Sequence, residues 1–123
     1  MRKILILTAV ILISFGLYRY LSYQPLTETS EANSDLIIFW GEGCPHCENV
    51  KKYISDNQLD QKINISLKEV YNNQENSNSL KETVKKCPEI DTQQGIGVPL
   101  AFDTKNQKCL LGDTPIIDWF KAQ

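Results

Sequence analysis

Residues 36–47 read LIIFWGEGCPHC and carry the strongest structural signal in the chain. The first part, Leu36–Trp40, is a continuous apolar run of the kind found in strands buried on both faces. The stretch ends in two cysteines separated by two residues, Cys44 and Cys47, and residues 48–57 continue with a helical pattern. A strand that leads to a dithiol at the start of a helix is typical of a thiol–disulfide redox site.

The residues after this motif alternate between strand and helix patterns. Asn-rich residues 71–79 and residues 91–97 are predicted to be loops, and residues 103–106 a hairpin turn. Thr114 is predicted to cap the last helix, with Pro115 at its first position. The predicted strands are 36–40, 63–70, 99–102 and 108–111, and the predicted helices are 44–57, 79–86 and 115–121. The order βαβαββα predicts an α/β domain with a four-stranded mixed sheet and three flanking helices.

Apolar periodicity predicts which side chains form the core. In the second strand, Ile65 and Leu67 alternate with Ser66, so the two apolar residues are expected to face inward. The full predicted core is Leu36, Ile37, Ile38, Phe39, Val50, Ile54, Ile65, Leu67, Val84, Leu100, Phe102, Leu111, Ile117 and Phe120.

Residues 1–23 are expected to target the chain to a membrane. Two basic residues open the chain, and residues 4–17 form an apolar run. As an uncleaved anchor, residues 4–23 are just long enough to span a bilayer, and Arg19 lies near the interface. As a secretory signal peptide, the run has a suitable length but lacks a good small-x-small cleavage site, so we favour the anchor.

The rest of the chain is expected to lie outside the cytoplasm in either case, since the stronger positive charge is N-terminal. Residues 24–34 form a polar linker, and residues 35–123 form the folded domain. If the N-terminal segment is cleaved, the domain is secreted; otherwise it is a membrane-anchored periplasmic or extracellular domain.

Charge argues against a nucleic-acid partner. The formal net charge is −2, with 13 basic and 15 acidic side chains. Three of the basic residues belong to residues 1–23, so the excess of acid in the remainder is larger. No Lys/Arg cluster of the kind that contacts phosphates is present.

The chemistry expected of the motif is disulfide exchange. Cys44 is predicted to be the nucleophile, because the helix N-terminus stabilises its thiolate. Cys47, one turn on and more buried, is the predicted resolving thiol that displaces a captured substrate. Pro45 and His46 are expected to tune the Cys44 thiolate. The dithiol carries the electrons, so no cofactor is expected.

Two other functions fit the same residues. Cys44, His46 and Cys47 are candidate ligands of Cu(I) or Zn(II), which would make the domain a metal-handling module. No second C-x-x-C or His pair follows, so no metal site is predicted. The other alternative is a non-catalytic adaptor that binds peptides beside Pro99.

The domain resembles the thioredoxin-like superfamily in its short, glutaredoxin-like form. The resemblance covers the whole domain and rests on residues 39–47, 97–99 and 112–113, which read FWGEGCPHC, GVP and GD. It implies a cis peptide bond at Val98-Pro99, with substrate binding beside these residues. Trp40 borders this site and is expected either to line it or to pack in the core.

The Pro-His pair between the cysteines resembles that of periplasmic disulfide oxidants, which favours oxidation of substrate thiols. Reduction and isomerisation stay open as alternatives, because this domain lacks room for the helical insertion of those oxidants.

Two positions depart from the family pattern. Thioredoxins carry a buried acid two residues before the strand tryptophan, where this chain has Ile38. Glu42 is the nearest acidic candidate for a proton relay, and a solvated loop carboxylate is its alternative interpretation. The glycine doublet that helps glutaredoxins bind glutathione is missing before Asp113, so glutathione is not expected to be the dedicated substrate.

Cys87 and Cys109 pose a separate question. In an oxidising compartment four cysteines usually pair, so these two are candidates for a structural disulfide. Two buried free thiols and a second redox relay are the alternatives.

The function expected from all these features is a membrane-tethered, extracytoplasmic thiol–disulfide oxidoreductase. Its expected partners are protein thiols or disulfides outside the cytoplasm, the membrane through residues 4–23, and a membrane redox partner that resets the dithiol.

Overall fold

The structure is a computed structural model of the chain and describes Met1 and residues 10–18 and 33–123. The strands are β1 (Leu36–Trp40), β2 (Ile65–Glu69), β3 (Leu100–Asp103) and β4 (Lys108–Leu111). The helices of the same region are α1 (Pro45–Asp56), α2 (Gln74–Val84) and α3 (Asp113–Lys121), with a short 3₁₀ helix at Leu59–Gln61. The predicted order βαβαββα and the mixed α/β class are confirmed.

The four strands form one mixed sheet in the order β2-β1-β3-β4. β1 pairs with β2 in parallel and with β3 antiparallel, and β3 and β4 form an antiparallel hairpin. Because β1 and β3 run in opposite directions, the end of β1 lies beside the start of β3. This edge of the sheet therefore brings residues that follow Trp40 close to residues that precede Leu100.

A hydrophobic core lies on each face of the sheet. β1 supplies both cores, because its successive side chains point to opposite faces. One core joins β1 and β3 to α1 and α3, through Leu36, Ile38, Val50, Ile54, Ala101, Ile116 and Phe120. The other packs β1, β3 and β4 against α2 and against Cys87, which follows α2, through Ile37, Phe39, Val70, Leu80, Val84, Cys87, Leu100, Phe102 and Cys109. β1 is therefore buried on both sides, as its apolar run predicts.

The second helix begins earlier than predicted. Residues 71–79 were expected to be a loop because they are rich in asparagine, but α2 starts at Gln74 and ends at Val84. The side chain of Asn73 accepts a hydrogen bond from the backbone N–H of Asn76 at 3.0 Å, which caps the helix. The Asn76 amide donates in turn to the carbonyl oxygen of Glu69 at 2.9 Å. Asparagine acts here as a cap and as a buried contact.

The second strand does not bury its predicted face. β2 is shorter than the predicted 63–70, Leu67 is 40% exposed and Ser66 is buried. β2 is an edge strand, so among the described residues only β1 lies beside it in the sheet. Leu111 is 41% exposed for the same reason, since it ends the edge strand β4.

The last helix starts two residues before the predicted Pro115. Thr114 is not its cap, because Gly112 occupies that position with no side-chain hydrogen bond. Ile116 is fully buried where Ile117 was expected, because Ile116 and Phe120 are four residues apart and share the core-facing side of the helix. The remaining predicted core residues are buried or, for Ile65, packed against the core.

The predicted hairpin turn is present and depends on one buried carboxylate. Asp103 accepts hydrogen bonds from the backbone N–H groups of Lys105 and Asn106, both at 3.0 Å. It also accepts from the Trp119 indole at 2.7 Å, which ties the turn to α3. Burial opposes ionisation of this carboxyl, but the donors outweigh burial and lower the pKa of Asp103.

The predicted anchor and linker lie mostly outside the described residues. Residues 10–18 are helical. Within Met1, residues 10–18 and residues 33–123, no helix combines the length and apolar character needed to cross a bilayer.

A disulfide joins Cys87 to Cys109, the pairing that the sequence leaves open. Their Cα atoms are 5.8 Å apart, and the two cysteines are 1% and 4% exposed. The bridge connects the turn after α2 to β4 on one face of the sheet. A bond this deeply buried is inaccessible to substrate thiols, which favours a structural role over a redox relay.

We expect the Cys87→Ala/Cys109→Ala variant to lose at least about 3 kcal/mol of unfolding free energy, because a bridge across this separation restricts the unfolded chain by that amount. Urea denaturation of the variant and the wild type under oxidising conditions measures the loss. Adding reductant serves as the control, because reductant can open the Cys87–Cys109 bridge of the unfolded wild type, whereas the variant has no such bridge to open. Equal stability of the two proteins would show that the bridge contributes nothing.

Candidate active site

Cys44 and Cys47 lie at the N-terminus of α1, with their sulfurs at disulfide distance and their Cα atoms 5.3 Å apart. Cys44 is the N-cap residue and Pro45 follows in the first turn, where no backbone N–H is needed. The backbone N–H of Cys47 donates to Cys44 Sγ at 3.3 Å. Cys44 is partly exposed, whereas Cys47 is only 1% exposed. An incoming thiol can therefore reach Cys44 more readily than Cys47.

The Val98-Pro99 peptide bond is cis, as the resemblance implies. The Val98 carbonyl oxygen lies 3.7 Å from Cys44 Sγ, and Pro99 is fully buried. The sheet places them there: Leu100 of β3 pairs with Phe39 of β1, whose strand leads into the dithiol. The structure thus brings together Cys44, Cys47, Val98 and Pro99 from two distant parts of the chain.

The turn before the dithiol is held by Glu69, which sequence reasoning missed. Its carboxylate accepts from the backbone N–H groups of Asn72 at 2.7 Å, Tyr71 at 2.9 Å and Glu42 at 3.3 Å. Burial opposes ionisation, but these donors outweigh it and lower the pKa of Glu69. Gly41 is buried beneath the Tyr71 ring, which occupies the space that a Cβ at this position would need.

A second missed residue, Asp113, lies at the start of α3 and contacts the motif directly. Its Oδ2 atom lies 3.0 Å from Nδ1 of His46 and accepts from the Asn49 amide at 2.8 Å. Its Oδ1 atom accepts from the backbone N–H of Thr114 at 3.0 Å. His46 and Asn49 are three residues apart on α1, so their side chains share one face. In the sequence, the three-residue spacing of His46 and Asn49 and the acidic residue at the start of α3 are the features that could have indicated this contact.

These hydrogen bonds set the ionisation of Asp113. The Asn49 amide contributes most and His46 next, and together they lower the pKa of Asp113 to about 2. The position of Asp113 in the first turn of α3 also favours a negative charge. Asp113 is therefore ionised throughout the pH range in which thiols react.

The other predicted site residues lie around this centre. Trp40 is partly buried, and the Lys51 ammonium lies 3.9 Å from the centroid of its ring. Glu42 is exposed, and its carboxylate accepts from the Asn72 amide at 3.0 Å. Its role as a proton relay stays a prediction.

The part of the chain that the structure describes contains no cluster of side chains arranged to bind a metal ion. Among those residues, no group of three or more His, Cys, Asp and Glu side chains is placed to hold an ion.

No protein-family model, curated protein or solved structure matches this chain. What the site can do therefore follows from its own geometry. A cysteine pair at disulfide distance in an α/β fold is compatible with redox chemistry and with metal handling.

We expect Asp113→Asn to lower stability most near neutral pH and progressively less in acid. A carboxyl whose pKa falls from 3.8 to about 2 on folding stabilises the fold above pH 3.8, and this contribution is lost as the pH falls toward about 2. Urea denaturation of the variant and wild type from pH 7 to pH 2 measures the difference.

Asp118→Asn is the matched control for that experiment, because Asp118 lies in the same helix and pairs with the exposed Lys121. A stability difference between wild type and Asp113→Asn that stays constant across the pH range would contradict the expected linkage.

Proposed function

We propose that this protein is a thiol–disulfide oxidoreductase with a thioredoxin-like domain, in which Cys44 is the nucleophile and Cys47 resolves the mixed disulfide. One observation carries the proposal: Cys44 caps α1 and is partly exposed, and the buried Cys47 lies at disulfide distance from it. A bond between these two sulfurs can open and close without moving the helix.

The helix supports the charged form of Cys44. When the disulfide opens, the Cys47 N–H at 3.3 Å and the positive end of the α1 dipole both stabilise a thiolate at Cys44. A stabilised thiolate favours the reduced protein, which makes its disulfide a stronger oxidant. Oxidation of substrate thiols is therefore the direction that we propose.

The surface beside the dithiol suits a polypeptide substrate. A cleft of about 420 Å³ begins at Val98 and continues between α2 and the loop before β3. Val70, Leu80 and Ile96 give it an apolar lining. A segment bound beside Val98 and Pro99 would place its cysteine near Cys44 and an apolar side chain in this cleft.

The cellular setting comes from the N-terminal sequence. We propose that residues 4–23 hold the domain at a membrane and that the domain acts outside the cytoplasm on protein thiols. In this setting a membrane redox partner returns the dithiol to its disulfide form.

Cysteine variants test the proposed chemistry. We expect the wild-type chain, in its oxidised form, to accelerate disulfide formation in a reduced, unfolded protein, and Cys44→Ser to abolish this activity. Mixed with a substrate that already contains a disulfide, reduced Cys47→Ser should instead accumulate a covalent mixed disulfide: the Cys44 thiolate attacks one substrate sulfur, the other substrate sulfur leaves as a thiolate, and the resolving thiol is missing. Non-reducing electrophoresis and mass spectrometry detect this species and identify the cysteine that carries it.

The Cys87→Ala/Cys109→Ala variant is the control, since it keeps the Cys44–Cys47 pair. Equal activity of Cys44→Ser and wild type would overturn the proposal. Metal analysis of the purified chain covers the metal-handling alternative: stoichiometric copper or zinc that is lost in Cys44→Ser would favour it. Substrate binding without any exchange would favour the peptide-binding adaptor.

A further inference from the structure

The contact between Asp113 and His46 has no part in the exchange steps described above, yet it adjoins the dithiol. His46 stands between the two cysteines in the first turn of α1, and its side chain is 69% exposed. Asp113 comes from a different helix and is only 21% exposed. Oδ2 of Asp113 accepts a hydrogen bond from the Asn49 amide and also contacts Nδ1 of His46. Asn49 therefore helps to hold the carboxylate in position beside the ring.

This geometry selects one form of the neutral imidazole. An ionised carboxylate can only accept hydrogen bonds, so the ring nitrogen beside it must carry a proton. Nδ1 is the nitrogen that lies 3.0 Å from Asp113. The neutral ring therefore has its proton on Nδ1, and Nε2 is left as a proton acceptor on a side chain that is largely exposed.

We propose that His46 Nε2 takes the proton of an incoming substrate thiol and that Asp113 is the positioning residue that keeps Nε2 free to do so. The inference rests on the proposed function and deepens it, because it assigns a group that generates the attacking thiolate. It also defines the substrate form that the oxidised site accepts, which is a neutral thiol.

The proposed exchange consists of two successive displacements at sulfur. The thiol R–SH gives its proton to Nε2, and R–S⁻ attacks Cys44 Sγ. The R–S–Cys44 bond forms while the Cys44–Cys47 bond breaks, and Cys47 leaves as a thiolate that is protonated by the imidazolium. A second substrate thiol gives its proton to solvent, and its thiolate attacks the substrate sulfur and releases Cys44 as a thiolate. Two substrate thiols are oxidised to one disulfide, and the protein disulfide is reduced to a thiol at Cys47 and a thiolate at Cys44, with one proton released to solvent.

Asp113 assists this proton transfer electrostatically. The transfer creates an imidazolium, and the carboxylate at 3.0 Å stabilises that charge. The two other carboxylates within four residues of His46 in the sequence have partners of their own. Glu48, two residues along α1, pairs with Lys51 at 2.8 Å, and Glu42 accepts from the Asn72 amide.

Nuclear magnetic resonance tests the tautomer directly, because His46 is the single histidine of the chain. We expect the ¹⁵N spectrum of the oxidised wild type at pH about 9, where an imidazole is neutral, to show a protonated Nδ1 and an unprotonated Nε2. Asp113→Asn should move the spectrum toward the mixture found in free histidine. A wild-type ring with its proton on Nε2 would overturn the inference.

Kinetics test the consequence. The probe is the rate at which N-acetylcysteine opens the Cys44–Cys47 disulfide, followed by alkylation and peptide mass spectrometry. We expect Asp113→Asn to react roughly tenfold more slowly than wild type at pH 7, the factor implied by losing one hydrogen bond between charged groups. At a pH about two units above the pKa of the probe's thiol nearly all of the probe is ionised, so the two rates should converge there.

Asp118→Asn is the matched control and should react within about twofold of wild type at every pH, since surface substitutions away from a site have small effects. In a His46→Gln background, Asp113→Asn should cause no further slowing. Three results would overturn the inference. Asp113→Asn could be slowed by the same factor at every pH, it could be slowed just as much in the His46→Gln background, or it could show no slowing at pH 7. The wild-type rate itself tests the proposed function, whereas the ratio of the two rates and the tautomer test Asp113.

Discussion

The antiparallel pairing of β1 with β3 is the constraint on which the site depends. Phe39 lies opposite Leu100, so the residues after β1 and the residues before β3 meet at one edge of the sheet. Both strands are buried on both faces, and a shift of one residue would exchange the side chains of the two cores. The proximity of Cys44 to Val98 is therefore a consequence of core packing, which fixes the register.

Polar contacts hold in place the segments that the strand register brings together. Glu69 holds the turn that precedes Cys44, and Asp113 connects α1 to α3 beside His46. Gly112 donates its backbone N–H to the Pro99 carbonyl at 2.8 Å, which fixes the start of α3 against the cis peptide. Each of these contacts joins segments that lie far apart in sequence, so the site is held by the same contacts that close the domain.

Sequence reasoning predicts the features whose cause is local. The buried run of β1, the dithiol at a helix start and the hairpin at Asp103 each follow from residues within a few positions. Burial in the edge strand β2 was mispredicted, because exposure of Leu67 depends on which strands lie beside it. Asp113 was missed as part of the site for the same kind of reason, since His46 and Asn49 belong to another helix. Glu69 was missed because its bond to Glu42 joins residues 27 positions apart, although its other donors are local.

Asp113 responds to pH differently from the sulfur chemistry. The pKa of Asp113 lies at about 2, so its contact with His46 persists far below neutral pH. The thiolate that carries out exchange becomes scarcer as pH falls, by about tenfold per unit below the pKa of the thiol. Acid therefore slows the reaction long before it releases His46 from α3. Loss of activity in mild acid would report on the sulfur chemistry, with the contact between Asp113 and His46 still intact.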